Sequence, residues 1–329
     1  MIHIVILGFL MMTSVVIIRM HDLLAIVMLL SIYSLLSAIF FVLMDAADVA
    51  LTEAAVGVVI ATLLLLSTIA FTGRYENKRR RRSFIALPLV VVTCGLLIYG
   101  TLEMPPYGSA NTPAQTHVAA YYIEKSYAET GIPNLVSSVL ASYRGFDTLG
   151  ELYVIFTAGI GILALLGIKA GQPATPQSTA IASMPMTRHH ILRIVSKMLI
   201  PFILLYALYV QFHGDFGPGG GFQAGAIFAS AMILYTLMFG IQAMLRVISR
   251  SWLEFLSALG LLLYGGTGLV ALLAGKNFLD YSVLAEHPTQ AQHIGILAVE
   301  LGVGITVAAT VLLIFIAFTD QLSRAVMSQ

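Results

Sequence analysis

Two glutamates occupy positions where apolar residues would be expected. Glu53 stands in Asp48-Val49-Ala50-Leu51-Thr52-Glu53-Ala54-Ala55-Val56-Gly57, and Glu300 follows Gly295-Ile296-Leu297-Ala298-Val299 and precedes Leu301-Gly302-Val303-Gly304. Each lies about six residues into an apolar stretch, which at 1.5 Å of rise per residue is roughly 10 Å from the helix end. A carboxylate in hydrocarbon costs about 3 kcal/mol on insertion scales, so those that persist face a cavity, an ion path or a partner. The chemistry open to them is binding and release of H⁺ or Na⁺, and the small neighbours leave room for water or a facing helix. The plainer alternative is that each is buried, protonated or paired, and joins one helix to another.

Other ionisable groups have competing explanations. In Arg144-Gly145-Phe146-Asp147-Thr148-Leu149-Gly150-Glu151, one arginine and two carboxylates, Asp147 and Glu151, converge at a membrane mouth, where they either guide cations inward or anchor a helix start. Thr148 to Glu151, Ser251 to Glu254 and Thr289 to Gln292 each match the capping box that opens a helix. Asp48 opens the stretch that carries Glu53. His213 and Asp215 form either a proton relay or a surface hydrogen-bonded pair. Lys197 either snorkels to the interface or takes part in pumping.

The run Gly214-Asp215-Phe216-Gly217-Pro218-Gly219-Gly220-Gly221-Phe222-Gln223-Ala224-Gly225 is rich in the residue that tolerates positive φ and close backbone approach. It lacks the Gly-Lys-Ser/Thr ending and the preceding strand of a phosphate loop. It reads as a compact turn feeding a glycine-faced helix, with Gly217, Gly221 and Gly225 at small-xxx-small spacing. No His/Cys metal pattern, haem or flavin signature or intramembrane protease motif is visible, so neither a cofactor, a metal site nor covalent catalysis is expected. Cys94 is the single cysteine, which excludes an intrachain disulfide, and it reads as a buried small apolar side chain.

The elements that position these groups follow from composition. Of 329 residues, 59% are hydrophobic and 10% charged, against about a quarter charged in soluble proteins, which excludes a soluble globular domain. The net charge of +1 argues against nucleic acid as a partner. Apolar stretches long enough to cross a bilayer fall at 2–18, 23–43, 47–71, 84–102, 151–168, 191–212, 222–244, 252–274 and 294–318. The expected architecture is an all-α polytopic membrane protein of about nine transmembrane helices. Met1-Ile2-His3 offers no basic flank and no small-residue cleavage pattern precedes Arg19, so the first stretch reads as a retained helix rather than a signal peptide.

Positive charge sets the direction, because cytoplasmic loops retain Lys and Arg. Placing Arg74, Lys78 and Arg79 to Arg82 inside also brings Arg19, Lys169, Arg188, Arg193, Lys197, Arg246, Arg250 and Arg324 inside. Only Lys125, Arg144 and Lys276 of the 17 Lys and Arg are then left outside. The N-terminus is therefore expected outside and the C-terminus in the cytoplasm. The only long external segment, about 103–150, should carry a short amphipathic helix from Asn134 to Tyr143, lying along the membrane surface with Val136, Val139, Leu140 and Tyr143 on one face.

At this point the residues become recognisable. Residues 191–318, with the glycine-rich run between the first two of four helices, resemble the B-type subunit (MrpB/MnhB) of the multisubunit Mrp/Mnh cation/proton antiporters. Residues 20–75, around Asp48 to Gly57, resemble the small domain (MbhD-like) at the C-terminal end of the A-type subunit. Residues 84–168, with Arg144 to Glu151, resemble the MbhE-like hydrogenase domain beside it. The division expected is 1–78 (three helices), 79–170 (two helices with the external segment), 171–190 (polar cytoplasmic linker) and 191–329 (four helices). In the family the first two modules commonly belong to the A-type subunit or are separate small proteins, whereas here they precede the B module. The resemblance implies a non-catalytic subunit of a Na⁺/H⁺ antiporter in a bacterial cytoplasmic membrane, with subunits of types A, C, D, E, F and G as partners. Glu53 and Glu300 would line part of its cation path, with Arg144, Asp147 and Glu151 at the mouth. The same modules occur in membrane-bound hydrogenases and related complex I-like redox pumps, which is the first alternative. A purely structural scaffold is the second, and a lone channel or carrier the third.

Overall fold

The computed structural model describes residues 1–76, 83–106, 108–113, 115–166 and 190–327. Lys78, the arginines 79–82, Lys169, Arg188 and the polar stretch Gly171 to Thr187 lie outside them. Every regular element among the described residues is helical. The N-terminal helices are α1 (Ile2–Arg19), α2 (Leu23–Leu43) and α3 (Ala47–Glu53), and α3 runs through a π-helical segment (Ala54–Ala61) into α4 (Thr62–Thr72). Then come α5 (Ser83–Thr101), a π segment (Gln115–Ala119) leading into α6 (Ala120–Thr130), and α7 (Leu135–Ser138) with a π segment (Val139–Tyr143). The remainder are α8 (Gly145–Leu165), α9 (His190–His213), α10 (Gly221–Phe239), α11 (Ile241–Val247), α12 (Arg250–Leu273) and α13 (Pro288–Met327). Eight of the described helices are long and apolar enough to cross a membrane, and the apolar part of α5, Ala86–Thr101, is shorter.

Helix α13 is the axis of the molecule. One buried cluster joins Ala309, Leu312, Phe315 and Ile316 of α13 to Ala229 and Ile233 of α10, Leu253 of α12 and Ile60 of the first π segment. The other joins its Ile296, Val299, Val303 and Val307 to Leu149 and Leu152 of α8, Tyr264 of α12 and Tyr281. Between helices in lipid there is little hydrophobic driving force, so close packing and hydrogen bonds must hold them. Small residues supply the packing. A Cβ on Gly260 of α12 would collide with the Gly302 carbonyl and with Thr306 of α13, and Ser257 and Thr310 share a buried 2.8 Å hydrogen bond at the same seam. The N-terminal helices are tied at their ends. Asp22 caps α2 by accepting from Leu24 N and takes a two-pronged hydrogen bond from Arg74, whose guanidinium holds the carboxyl below its ordinary range.

Several expectations are corrected here. The box at Ser251 does not open α12. Ser249 is the cap, accepting from Trp252 N at 3.4 Å, and Glu254 instead takes a 3.0 Å bond from Arg250 Nε. Helix α8 begins six residues early, at Gly145, so Glu151 sits in its second turn, and Thr148 donates to the Leu140 carbonyl. Helix α13 starts at Pro288, and Gln292 accepts from Ser142 rather than capping. The segment from Asn134 to Tyr143 is helical but does not lie free on a surface: Ser137, Ser138 and Ala141 are buried, because its polar face finds protein carbonyls. Helix α6, between α5 and α7, has no counterpart among the expected elements, its pattern being amphipathic but weakly apolar. Cys94 is exposed, on a helix whose described side chains from Leu87 to Gly100 all lie open.

Gly260→Ala should destabilise the chain by about 1–3 kcal/mol, the range for overpacking. Gly265→Ala, at a site with nothing within 4 Å, should be near neutral. Thermal unfolding in detergent checks both, and equal midpoints would refute the tight α12–α13 seam.

Candidate functional site

The glycine-rich turn between α9 and α10 folds back on itself. Gly220 N bonds to the Val210 carbonyl at 3.0 Å, and Phe216 and Gly217 N bond to His213 O. Gly220 adopts φ +116°, a conformation open in practice to glycine alone. This brings bare backbone against α13. A Cβ on Gly221 would overlap the Glu300 carbonyl, and one on Gly214 would stand 3.2 Å from Glu300 Oε2. Gly225 meets α13 in the same way, at Gly304. Gly217 does not join that row; it faces the His213 ring.

Asn134 locks the turn in place. As the cap of α7 its Oδ1 accepts from Val136 N, while its Nδ2 reaches the carbonyls of Gly214 at 2.8 Å and Gly217 at 2.9 Å. Ser137 donates to Gly214 O at 2.6 Å, and the backbone N of Asn134 donates to Asp215 O. On the far side, Asp48 Oδ1 accepts from Gly219 N at 3.3 Å, and Gln223 of α10 donates to Thr52 at 2.7 Å. Three modules of the sequence thus meet at one turn.

They enclose a cavity of about 300 Å³. Asp48, Thr52, Ser137, Thr148, Glu151, Gln223 and Glu300 supply its polar lining, and among the lining residues there is no lysine, arginine or histidine. Glu300 is 9% exposed, and its carboxylate faces Ser137 and lies within the electrostatic reach of Asp215 and Asp48. The cavity is therefore acidic, partly polar and large enough for several waters, since one water occupies about 30 Å³ of liquid. A cation or proton entering it would meet carboxylates from α3, α8 and α13.

Glu53, Arg144, Asp147, Lys197, His213 and Asp215 do not line this cavity. Glu53 turns toward α2, its Oε1 beside Gly57 and Ser34, so it does not join Glu300 in the lining. Arg144 and Asp147 form an exposed ion pair, apart from Glu151, which lines the cavity. Lys197 is exposed on α9. His213 stacks on Tyr209 with ring centroids 4.8 Å apart and does not pair with Asp215. Asp215 is buried and meets His293 of α13, Nδ1 to Oδ2, at 3.0 Å. Burial pushes the Asp215 carboxyl up from its ordinary range, and the charge of His293 pulls the other way. Pro218 is exposed on the turn. Asn134, Ser137, Thr52, Gln223 and His293 were missed as site residues. Asn134 ahead of an amphipathic run was a legible cap, whereas neutral polar groups such as Thr52 and Gln223 give no signal until their helices are paired. Among the described residues no group of three or more His, Cys, Asp or Glu is placed to hold a metal ion.

Comparisons with known proteins agree on one lineage. Residues 191–313 match the family described as a domain related to the MnhB subunit of Na⁺/H⁺ antiporter. Residues 8–74 match MbhD, the D-type subunit of MBH, and residues 78–183 match MbhE, its E-type subunit. A protein of Rhizobium meliloti described as a probable A/B-type K⁺/H⁺ antiporter subunit is 27% identical over 88% of this chain, which spans 31% of that protein's length. A putative antiporter subunit mnhB2 of Staphylococcus haemolyticus is 33% identical over 39% of this chain and 93% of its own length. Among solved structures, the Mrp complex from Dietzia sp. superposes with a TM-score of 0.75 at 21% identity, over 95% of this chain and 34% of that one. A chain of the archaeal membrane-bound sulfane sulfur reductase gives a TM-score of 0.52 at 30% identity, over 69% of this chain and 95% of its own.

Removing the Asn134 amide takes that donor from the Gly217 carbonyl and leaves the Gly214 carbonyl with Ser137 alone, a loss of about 1–3 kcal/mol. Asn134→Ala should therefore speed amide hydrogen exchange across residues 213–221 by about tenfold or more, and Ser137→Ala by less. Unchanged exchange would show that the turn holds itself.

Proposed function

Because the chain belongs to the MnhB family of Na⁺/H⁺ antiporter subunits, we propose that it is a non-enzymatic membrane subunit of a multisubunit monovalent cation/proton antiporter, and that its acidic cavity carries charge. The observation that carries this reading is Glu300 set among Asp48, Glu151, Ser137 and bare glycine backbone in a space large enough for water. Carboxylates that line one cavity compete for the proton or cation that enters it, so occupancy of one is coupled to that of the others. That coupling is what exchange of H⁺ for a cation requires. Arg144, Asp147 and Glu53 flank the path.

The segregation of arginines supports an outward-facing cavity, an external N-terminus and a cytoplasmic C-terminus in a bacterial inner membrane. We read the chain as three modules, residues 1–78, 79–170 and 191–329, with a polar linker at 171–190 between the last two, the first two fused ahead of the B module. Its partners would be antiporter subunits of types A, C, D, E, F and G. The exposed apolar faces of α1 and α5, including Ile4, Met11, Leu87 and Leu97, fit contact with such partners or with lipid. The likeness to a sulfane sulfur reductase chain supports a second reading, a place in the membrane arm of a redox-driven ion pump. Copurification of iron–sulfur or nickel subunits would favour it, and copurification of antiporter subunits alone would exclude it.

In everted vesicles carrying the assembled complex, Glu300→Gln should lower cation-dependent pH change by about tenfold or more, a loss typical of a group that transfers protons. Asp48→Asn should cost nearly as much, and Glu53→Gln less. Full exchange in a complex with Asp48, Glu151 and Glu300 all neutralised would reduce the chain to a scaffold.

A further inference from the structure

Resting on that reading, we propose that His293 and Asp215 form the water-facing terminal of a proton route that ends on Glu300. His293 is half-exposed while its Asp215 partner has a side chain 8% exposed, so the pair spans the boundary from water to protein interior. Asp215 Oδ2 faces His293, and Oδ1 is buried with no hydrogen-bond partner. Asp215 follows Gly214, the residue whose Cα faces Glu300 Oε2, and its charge reaches the Glu300 carboxylate. Asp215, with one oxygen on His293 and the other unpartnered, is thus the middle group of the proposed chain: an imidazole at the surface, a buried carboxyl, and the glutamate lining the cavity.

Polar groups of the turn, of α12 and of α3 near this chain have other partners. From the turn itself, His213 stacks on Tyr209 and presents Nε2 to Gly217. From α12, Tyr264 donates to Gly145 O, and from the short turn at Tyr281–Val283, Tyr281 donates to Ala141 O. From α3, Asp48 receives Gly219 N and lies within reach of Glu300. His293 is thus the base that meets Asp215 from the water side, and histidine is the side chain whose charge changes between pH 5 and 8.

The transfer balances as one proton passed along. Nε2 of His293 takes a proton from water, Nδ1 releases its own to Asp215 Oδ2, and the imidazole returns to neutral as Asp215 becomes the carboxylic acid. Rotation of the Asp215 carboxyl about its Cβ–Cγ bond carries that same proton to the side away from His293, where its release leaves Asp215 a carboxylate and Glu300 the acid. Burial, which favours the protonated form of Asp215, keeps the intermediate state accessible. His293 acts through Asp215 and is a positioning and relay residue for the exchange.

The test uses the assembled complex in proteoliposomes, with cation-driven proton flux recorded against pH on the His293 side. His293→Gln retains a hydrogen bond to Asp215 but cannot titrate. It should flatten the pH dependence between pH 5 and 8 and slow flux by about tenfold, with half-saturating cation concentration unchanged. Asp215→Asn should do the same, and should Asp215→Asn fail to assemble, the half-exposed His293 variant decides. A wild-type pH profile in His293→Gln, in a preparation where Glu300→Gln abolishes flux, would overturn the relay and leave the cavity's role standing. Undiminished flux in Glu300→Gln would overturn both.

Discussion

A carboxylate can stay within an apolar helix only where something other than hydrocarbon surrounds it, and in this chain that something is glycine backbone. Glu300 lies where Gly214, Gly220 and Gly221 pass with no Cβ between them and the glutamate. Side chains at those positions would push the turn away and leave the acid to lipid or to an aliphatic neighbour. The turn itself needs Asn134, whose amide takes up two of its carbonyls, and Asp48, which takes the Gly219 amide. The segment before α7, the start of α3 and the middle of the C-terminal unit are therefore held together by the requirement to house one acid.

That requirement explains why three modules recur as one chain here. A turn built of glycine has little stiffness of its own, since each glycine loses more conformational freedom on ordering than any other residue. Its geometry comes from outside, through hydrogen bonds from residues more than seventy positions away. Fusing the modules keeps the clamp and the turn at a fixed ratio and a high effective concentration. The helices that do not take part, α1 and α5, keep broad apolar faces exposed.

Much of this was legible in the residues. Period, length and lack of charge foretold the helical membrane architecture, because no other backbone arrangement of such apolar stretches satisfies its own hydrogen bonds in lipid. The glycine run and the buried acid Glu300 were visible as anomalies. Their association was not, since position along a helix leaves rotation undetermined: Glu53 faces α2, whereas Asp48, five residues earlier, faces the cavity. Capping boxes misled for a related reason. Ser251 and Thr148 had the right spacing, but Ser249 captured the helix start and Thr148 found a carbonyl eight residues back. His293 carried no signal at all until α13 was packed beside the turn that holds Asp215.

Ion passage at Glu300 requires that its cavity be wet in the working complex. Cys94 is the single native cysteine, so a Cys94→Ser background permits one reporter, Thr52→Cys, on the cavity wall. A membrane-impermeant, positively charged methanethiosulfonate should modify it from one side of the membrane only, and more slowly once Glu300→Gln removes the attracting charge. Failure of that reagent to reach the reporter from either side, in vesicles that still exchange ions, would contradict it.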